Sequence, residues 1–250
     1  MRISKKTRNE NLIKSNQEAL SDLVDLLPQD QWIKDIIYDN IPYTVTGVDA
    51  LYDLVKTVEN IVKNNITGDI VECGVYMGGS CRLIMDTLNY LNDKRKIWMY
   101  DTYNGVPVPD DSDVYHWDGK ENKNMKEWFV EAGHYDDGSG TTWCYSSLDD
   151  VKENISSVNY QGEVEFIKGK VEDTIPENGP SNISLLRIDV DLVQPTMHVL
   201  KNFYDRTQRH IIFDDYGFNP TLRHQVDVFF ENNNNPYMYR VDKTVRHVVK

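Results

Sequence analysis

The strongest constraint on this chain is a series of short apolar segments, each running into glycine or aspartate and most followed by a helix-like stretch. Residues 68–74 carry Ile70, Val71 and Cys73. Residues 96–100 run into Asp101, residues 163–168 into Gly169, and residues 210–213 into Asp214-Asp215, while residues 183–190 contain Asp189. Between and after these segments the apolar spacing predicts helices over 80–91, 148–158, 195–204 and 220–231. Ser147 with Asp150, and Asn219 with Pro220, supply helix-start signals. Strands alternating with helices dictate a parallel sheet covered on both faces. The segments 237–241 and 245–249 read as a closing hairpin that adds antiparallel strands. The expected fold class is therefore α/β and Rossmann-like.

Two further helices are predicted ahead of the first strand, over 9–27 and 48–64, with a loop at 42–47 between them. The chain thus divides into an N-terminal helical, lid-like extension (1–66) and a sheet domain (67–250). A polar, aromatic-rich insert spans about 107–146 and carries Tyr115, Trp117, Trp128, Phe129, Tyr135 and Trp143. It reads either as a lid or as a long loop packed on the domain.

Composition narrows the function classes. The 250 residues are 40% hydrophobic, enough for one sizeable core, and hold no apolar run of membrane-spanning length or signal peptide. A net charge of −13 repels nucleic acid and anionic membranes, and leaves small molecules as the expected partners. Cys73, Cys81 and Cys144 lack CxxC spacing, and the six histidines lack HxxxH spacing. They predict core thiols in a cytoplasmic protein rather than a disulfide framework or a zinc site.

In doubly wound sheets, ligands bind beyond the carboxyl ends of the strands. After the first strand comes Glu72-Cys73-Gly74-Val75-Tyr76-Met77-Gly78-Gly79-Ser80, where glycines permit a sharp turn and close approach to a ligand. Glu72 would repel a pyrophosphate and suits a cationic or amino-acid-like ligand; a plain glycine turn has the same sequence. Asp101 is placed to accept hydrogen bonds from ribose hydroxyls, although an Asx turn is the ordinary use of such a residue. Together the two features point to an adenosine-type ligand. If the fourth and fifth strands are neighbours, Asp189, Asp214 and Asp215 converge at one rim. Their repulsion would be relieved by an oxygen-preferring divalent cation. Asp191 reads instead as a helix cap.

At these residues the chain resembles the macrocin/mycinamicin/novobiocin sugar O-methyltransferase family. The resemblance is carried by residues 42–46, by Gly68-Asp69-Ile70-Val71-Glu72-Cys73-Gly74-Val75 with Gly78-Gly79-Ser80, and by Asp101-Thr102-Tyr103-Asn104-Gly105-Val106-Pro107. Residues 169–176, Leu186-Arg187-Ile188-Asp189-Val190-Asp191-Leu192 and Asp214-Asp215-Tyr216-Gly217 continue it in the same order. The resemblance implies a class I methyltransferase fold with a seven-stranded, mostly parallel sheet. It also implies S-adenosylmethionine (SAM) as methyl donor, magnesium, a sugar-type acceptor and a homo-oligomer. By position, Glu72, Gly74 and Ser80 would hold the methionine part, and Asp101, Thr102, Tyr103, Gly169 and Val171 the adenosine, with Tyr76, Gly78 and Asp189 also binding the cofactor. Asp189, Asp214 and Asp215 would hold the metal, and Asp189 would also be the base. Tyr43, Thr44 and Tyr216 would face the acceptor. The chain departs from the family at Met77, at Val193-Gln194-Pro195 and in the insert. A catechol-type O-methyltransferase, a related hydroxylase and a non-catalytic binding protein are the competing readings.

Overall fold

The computed structural model describes residues 23–28, 30–116, 123–134 and 141–250; of the helix expected over 9–27, residues 9–22 lie outside that range. In chain order the strands are β1 (Asp69–Cys73), β2 (Ile97–Asp101), β3 (Val114–Tyr115), β4 (Lys123–Asn124), β5 (Val164–Lys168), β6 (Ile183–Ile188), β7 (Thr207–Phe213), β8 (Tyr237–Arg240) and β9 (Arg246–Val249). The helices are α1 (Gln31–Asn40), α2 (Val48–Lys63), α3 (Gly79–Leu91), α4 (Met125–Glu131), α5 (Leu148–Ser156), α6 (Val171–Thr174), α7 (Val193–Phe203) and α8 (Pro220–Glu231), and a 3₁₀ turn spans Ile41–Tyr43.

Seven strands form one sheet in the order β5-β2-β1-β6-β7-β9-β8. The first five are parallel to one another, and β9 and β8 close the edge as an antiparallel hairpin. The expected α/β sheet is therefore present, including the neighbouring fourth and fifth strands of the main alternation. The winding direction reverses between β1 and β6, and that reversal opens the crevice where ligands bind in such sheets.

Period-two alternation along the strands builds two core layers. Ile70, Leu185 and Ile212 face one layer with Leu51 and Leu54 of α2, Leu83 and Ile84 of α3, and Val151 of α5. Val71, Leu186, Ile211 and Phe213 face the other with Leu200 and Phe203 of α7 and Val226 and Phe230 of α8. Helices α1 and α2, from the N-terminal extension, thus share a core layer with the sheet.

Helix starts follow the expected chemistry. Ser147 and Asp150 make a reciprocal capping box, and Asn219 accepts from the amides of Thr221 and Leu222 with Pro220 in the first turn. Helix α7 begins at Val193 rather than Pro195, because buried Asp113 of the insert accepts the Val193 amide at 2.8 Å. Helices α1, α4 and α6 and the β3–β4 ribbon had no counterpart in the expected elements.

The parallel register lines up the strand ends at one rim. Gly169 donates to Asp101, Gly74 to Tyr100, Asp189 to Cys73, and Asp214 to Ile188, each through backbone atoms. At Gly74 (φ +87°) an added Cβ would lie 1.5 Å from the Asp189 carbonyl oxygen, so only glycine allows this approach.

Away from that rim, α2 is tied to the antiparallel edge by a buried polar chain. His247 Nδ1 lies 2.8 Å from Asp53 Oδ2, His210 Nδ1 lies 2.9 Å from His247 Nε2, and His210 Nε2 lies 3.1 Å from Asn60 Oδ1. Burial, reinforced by His247 and Arg209, lowers the His210 pKa from 6.5 to about 4.

Two outcomes follow for stability. Gly74→Ala should cost about 3 kcal/mol or more, read as a Tm loss of roughly 6–12 °C; an unchanged Tm would mean the rim relaxes freely. The folded pKa of His210 lies below its unfolded value, so its stabilising contribution is complete above pH 6.5 and is lost as pH falls through about 4. That contribution is about 3 kcal/mol. Denaturant titrations across this window should show a steep loss in the wild type and a flatter one in His210→Gln; equal slopes would assign the acid sensitivity elsewhere.

Candidate active site

A cavity of about 460 Å³ opens over the aligned strand ends. Gly74, Val75, Tyr76, Ser80, Asp101, Thr102, Gly169 and Val171 line it beside β1, β2 and β5, while Asp189, Asp191, Asp214 and Asp215 line it beside β6 and β7. Tyr43, Thr44, Val45, Thr46 and Gly47 supply a third wall, packed so closely on α3 that a Cβ at Gly79 would lie 2.5 Å from the Tyr43 carbonyl oxygen.

The glycine-rich turn is held by Asp101. Its Oδ2 accepts from the amides of Val75 (2.6 Å) and Tyr76 (3.1 Å), and its Oδ1 from the amide of Tyr103 (2.6 Å). Asp101 therefore fixes the turn and lines the cavity at once. Burial raises its pKa against the pull of those amides. Tyr76 adopts a left-handed backbone (φ 52°), and its buried phenol oxygen has no hydrogen-bond partner among the described residues, which leaves a polar atom available to a ligand.

At the other end, Asp189, Asp214 and Asp215 each offer a carboxylate oxygen within 4.8 Å of the others. Burial, followed by the charge of Asp189, pushes Asp214 up to about 8 and Asp191 up to about 7. Burial and then Asp191 raise Asp215 as well. Asp191 is not a helix cap: it adopts φ 61°, its amide donates to Asp215 Oδ2 at 2.9 Å, and the N-cap of α7 is Leu192.

Beneath the acids lies Arg187, whose side chain is 2% exposed. Its Nη1 donates to Glu72 Oε1 and Asp189 Oδ2, both at 2.6 Å, and its Nη2 donates to Asp214 Oδ1 and, at 3.3 Å, to Thr46 Oγ1. The register explains the arrangement, because Glu72 and Arg187 are direct partners across the β1–β6 pair.

Four of the expected site residues lie outside the cavity lining. Glu72 is completely buried, and its carboxylate accepts from Ser80 Oγ, Cys81 Sγ and Arg187 rather than facing a ligand. Gly78 makes the left-handed N-cap of α3 and packs toward Ile155 of α5. Tyr103 is buried in the core, with its hydroxyl donating to the Met99 carbonyl. Tyr216 turns away, donating to Asp227 at 2.6 Å with Arg246 over its ring.

Thr46, Phe218 and Asp242 are among the lining residues that carry no role in the sequence reading, and Trp143 of the insert lines the cavity with them. Asp242 comes from the β8–β9 turn, where its Oδ1 accepts from the Thr244 and Val245 amides. Met125 and Phe129 of the insert, with Val106 just before it, pack with Leu192 and Phe218, joined by Tyr115, Trp128 and Trp143. The insert aromatics thus form a small core of their own, whose edge borders the acidic end of the cavity; Trp117 and Tyr135 lie outside the described residues. Among the described residues, no helix is long and apolar enough to cross a membrane.

Solved structures share this architecture. The O-methyltransferase NovP superposes with a TM-score of 0.70 at 23% identity, covering 99% of both chains. The calicheamicin methyltransferase CalS11 does so at 0.60 and 14%, covering 100% of this chain and 94% of that one. Among curated sequences, demethyldecarbamoylnovobiocin O-methyltransferase of Streptomyces niveus is 28% identical over 191 residues, 75% of this chain and 67% of the relative. Mycinamicin III 3''-O-methyltransferase of Micromonospora griseorubida is 28% identical over 183 residues, 72% and 67% of the two chains. Residues 11–247 match the family model of macrocin-O-methyltransferase (TylF), and the chain therefore belongs to that methyltransferase family.

Proposed function

We propose that this chain is a SAM-dependent O-methyltransferase that methylates a hydroxyl of a sugar or sugar-nucleotide, with a divalent cation, magnesium, held by Asp189, Asp214 and Asp215. The observation that carries the reading is the meeting of the three carboxylates beside a cavity that is also lined by the turn held by Asp101. A homo-oligomer in the cytoplasm completes the proposal, with exposed Leu23 and Leu26 as apolar surface available near its N-terminal segment.

The residues fit both groups. The cavity has the volume of a small-molecule site, and the unpartnered Tyr76 hydroxyl suits a polar cofactor. Arg187 engages one oxygen of Asp189 and one of Asp214, and the Asp191 amide engages one of Asp215. The second oxygen of each carboxylate is left for a cation that prefers oxygen. SAM supplies an electrophilic methyl on sulfonium, and the divalent cation supplies Lewis acidity that makes an acceptor hydroxyl more acidic.

The protein's own work is alignment and proton handling. Gly74, Ser80 and Tyr76 would hold the methionine part of the cofactor, and Asp101, Thr102, Gly169 and Val171 would hold its adenosine. Asp189 lines the cavity, and its Oδ1, which Arg187 does not engage, has two lone pairs, so it would hold the cation with one and take the acceptor proton with the other. The 43–47 wall, Thr44 included, lines the cavity and would shield the methyl path from water. Trp143, Phe218, Val106 and Pro107 give the acceptor an apolar surface. A sugar ring can stack there, and the same surface favours a second reading, a flat catechol-type acceptor.

Excess chelator should abolish turnover while SAM affinity, measured by calorimetry, stays within about twofold; full activity in chelator would remove the cation from the reaction. Asp189→Asn should lower kcat by roughly 10²–10⁴-fold, and near-normal turnover would rule it out as base. A mass-spectrometric screen of glycosides, sugar-nucleotides and catechols should yield a methylene gain on the sugars. Gain on catechols alone favours the second reading, and gain of oxygen would indicate a hydroxylase.

A further inference from the structure

We propose that Arg187 is a positioning residue, whose guanidinium fork fixes Asp189 and Asp214 so that one oxygen of each is presented to the cation; this rests on the cation reading above. A buried arginine in an otherwise apolar strand is costly unless its charge is compensated. Glu72 alone would supply that compensation, since it is fully buried and sits opposite Arg187 in the register. The fork nevertheless reaches further. Its Nη1 also serves Asp189 and its Nη2 serves Asp214, carboxylates whose side chains are 27% and 21% exposed and which water would otherwise solvate.

Each arm thus holds one carboxylate of the cluster while the Arg187 backbone remains inside β6. Nη2 also donates to Thr46 Oγ1, so the same group touches the wall segment over the cavity. Two carboxylates from different strands gain a common reference, which the flexible aspartate χ angles alone would not provide. Only a planar fork does this, because a lysine ammonium is a point charge on a flexible stem. The charge of Arg187 and its geometry are therefore separable by substitution.

The test uses Mn²⁺ as a paramagnetic probe, its binding followed by electron paramagnetic resonance, with SAM titrated in parallel by calorimetry. In Arg187→Lys the positive charge is kept and the fork is lost. Mn²⁺ affinity should fall by about tenfold or more, with SAM affinity within about twofold. A purely structural role would lower Tm and weaken both ligands together. Where Arg187→Lys does not fold, the paired variant Arg187→Met with Glu72→Gln removes one positive and one negative charge at once. It leaves the cluster's net charge unchanged, and the same selective loss of Mn²⁺ is expected. Wild-type Mn²⁺ affinity in the folded variants overturns the positioning role and spares the cation reading. Absence of Mn²⁺ binding by the wild type overturns both.

Discussion

The site depends on one buried cation of the protein's own. Arg187 pairs with three carboxylates, Glu72 of β1, Asp189 just after β6 and Asp214 just after β7, and without it Glu72 would be a fully buried unpaired charge. Burial works against the guanidinium, yet the charges of Asp189, Asp214 and Glu72 overcome it and hold the pKa well above its ordinary value. A buried ion set of this kind is a weak contributor to net stability, but breaking it is expensive. Its value lies in geometry, because it makes the sheet register and the arrangement of the acids a single structural fact.

The rest follows from that register. Parallel pairing puts Gly169, Asp101, Gly74, Asp189 and Asp214 at one rim, and the reversal between β1 and β6 opens the crevice above them. On one side Asp101 spends its carboxylate on the amides of the glycine-rich turn. On the other side the Asp191 amide steadies Asp215, and Asp113 of the insert caps α7. The insert thereby becomes a wall of the site, with the Trp128 ring 5.0 Å from those of Tyr115 and Trp143.

Much of this was legible in the sequence. Apolar strands ending in glycine or aspartate announced the sheet, and a double acid directly after an apolar strand announced the cluster. The ordered motif blocks announced the family. Glu72 misled because a strand residue beside a turn looks as though it faces the ligand, whereas its partner is an arginine 115 positions away. Arg187 had one available signal, a charge inside Ile-Ser-Leu-Leu-Arg-Ile, but its set of three acidic partners becomes visible only with the pairing of β1, β6 and β7. Helix α1 carries Ile33 and Ile37 one helical repeat apart, a signal the sequence reading passed over. The insert showed no periodicity because its aromatic residues pack through tertiary contacts.

The proposed chemistry turns on a hard cation shared by aspartates of two neighbouring strand ends. A crystal structure grown with S-adenosylhomocysteine and Mn²⁺, with data collected at the manganese edge, tests this most directly. One anomalous peak is expected among Asp189, Asp214 and Asp215, about 2.0–2.6 Å from an oxygen of each. Density for the nucleoside product without a peak between those carboxylates, or a peak elsewhere in the cavity, would contradict it.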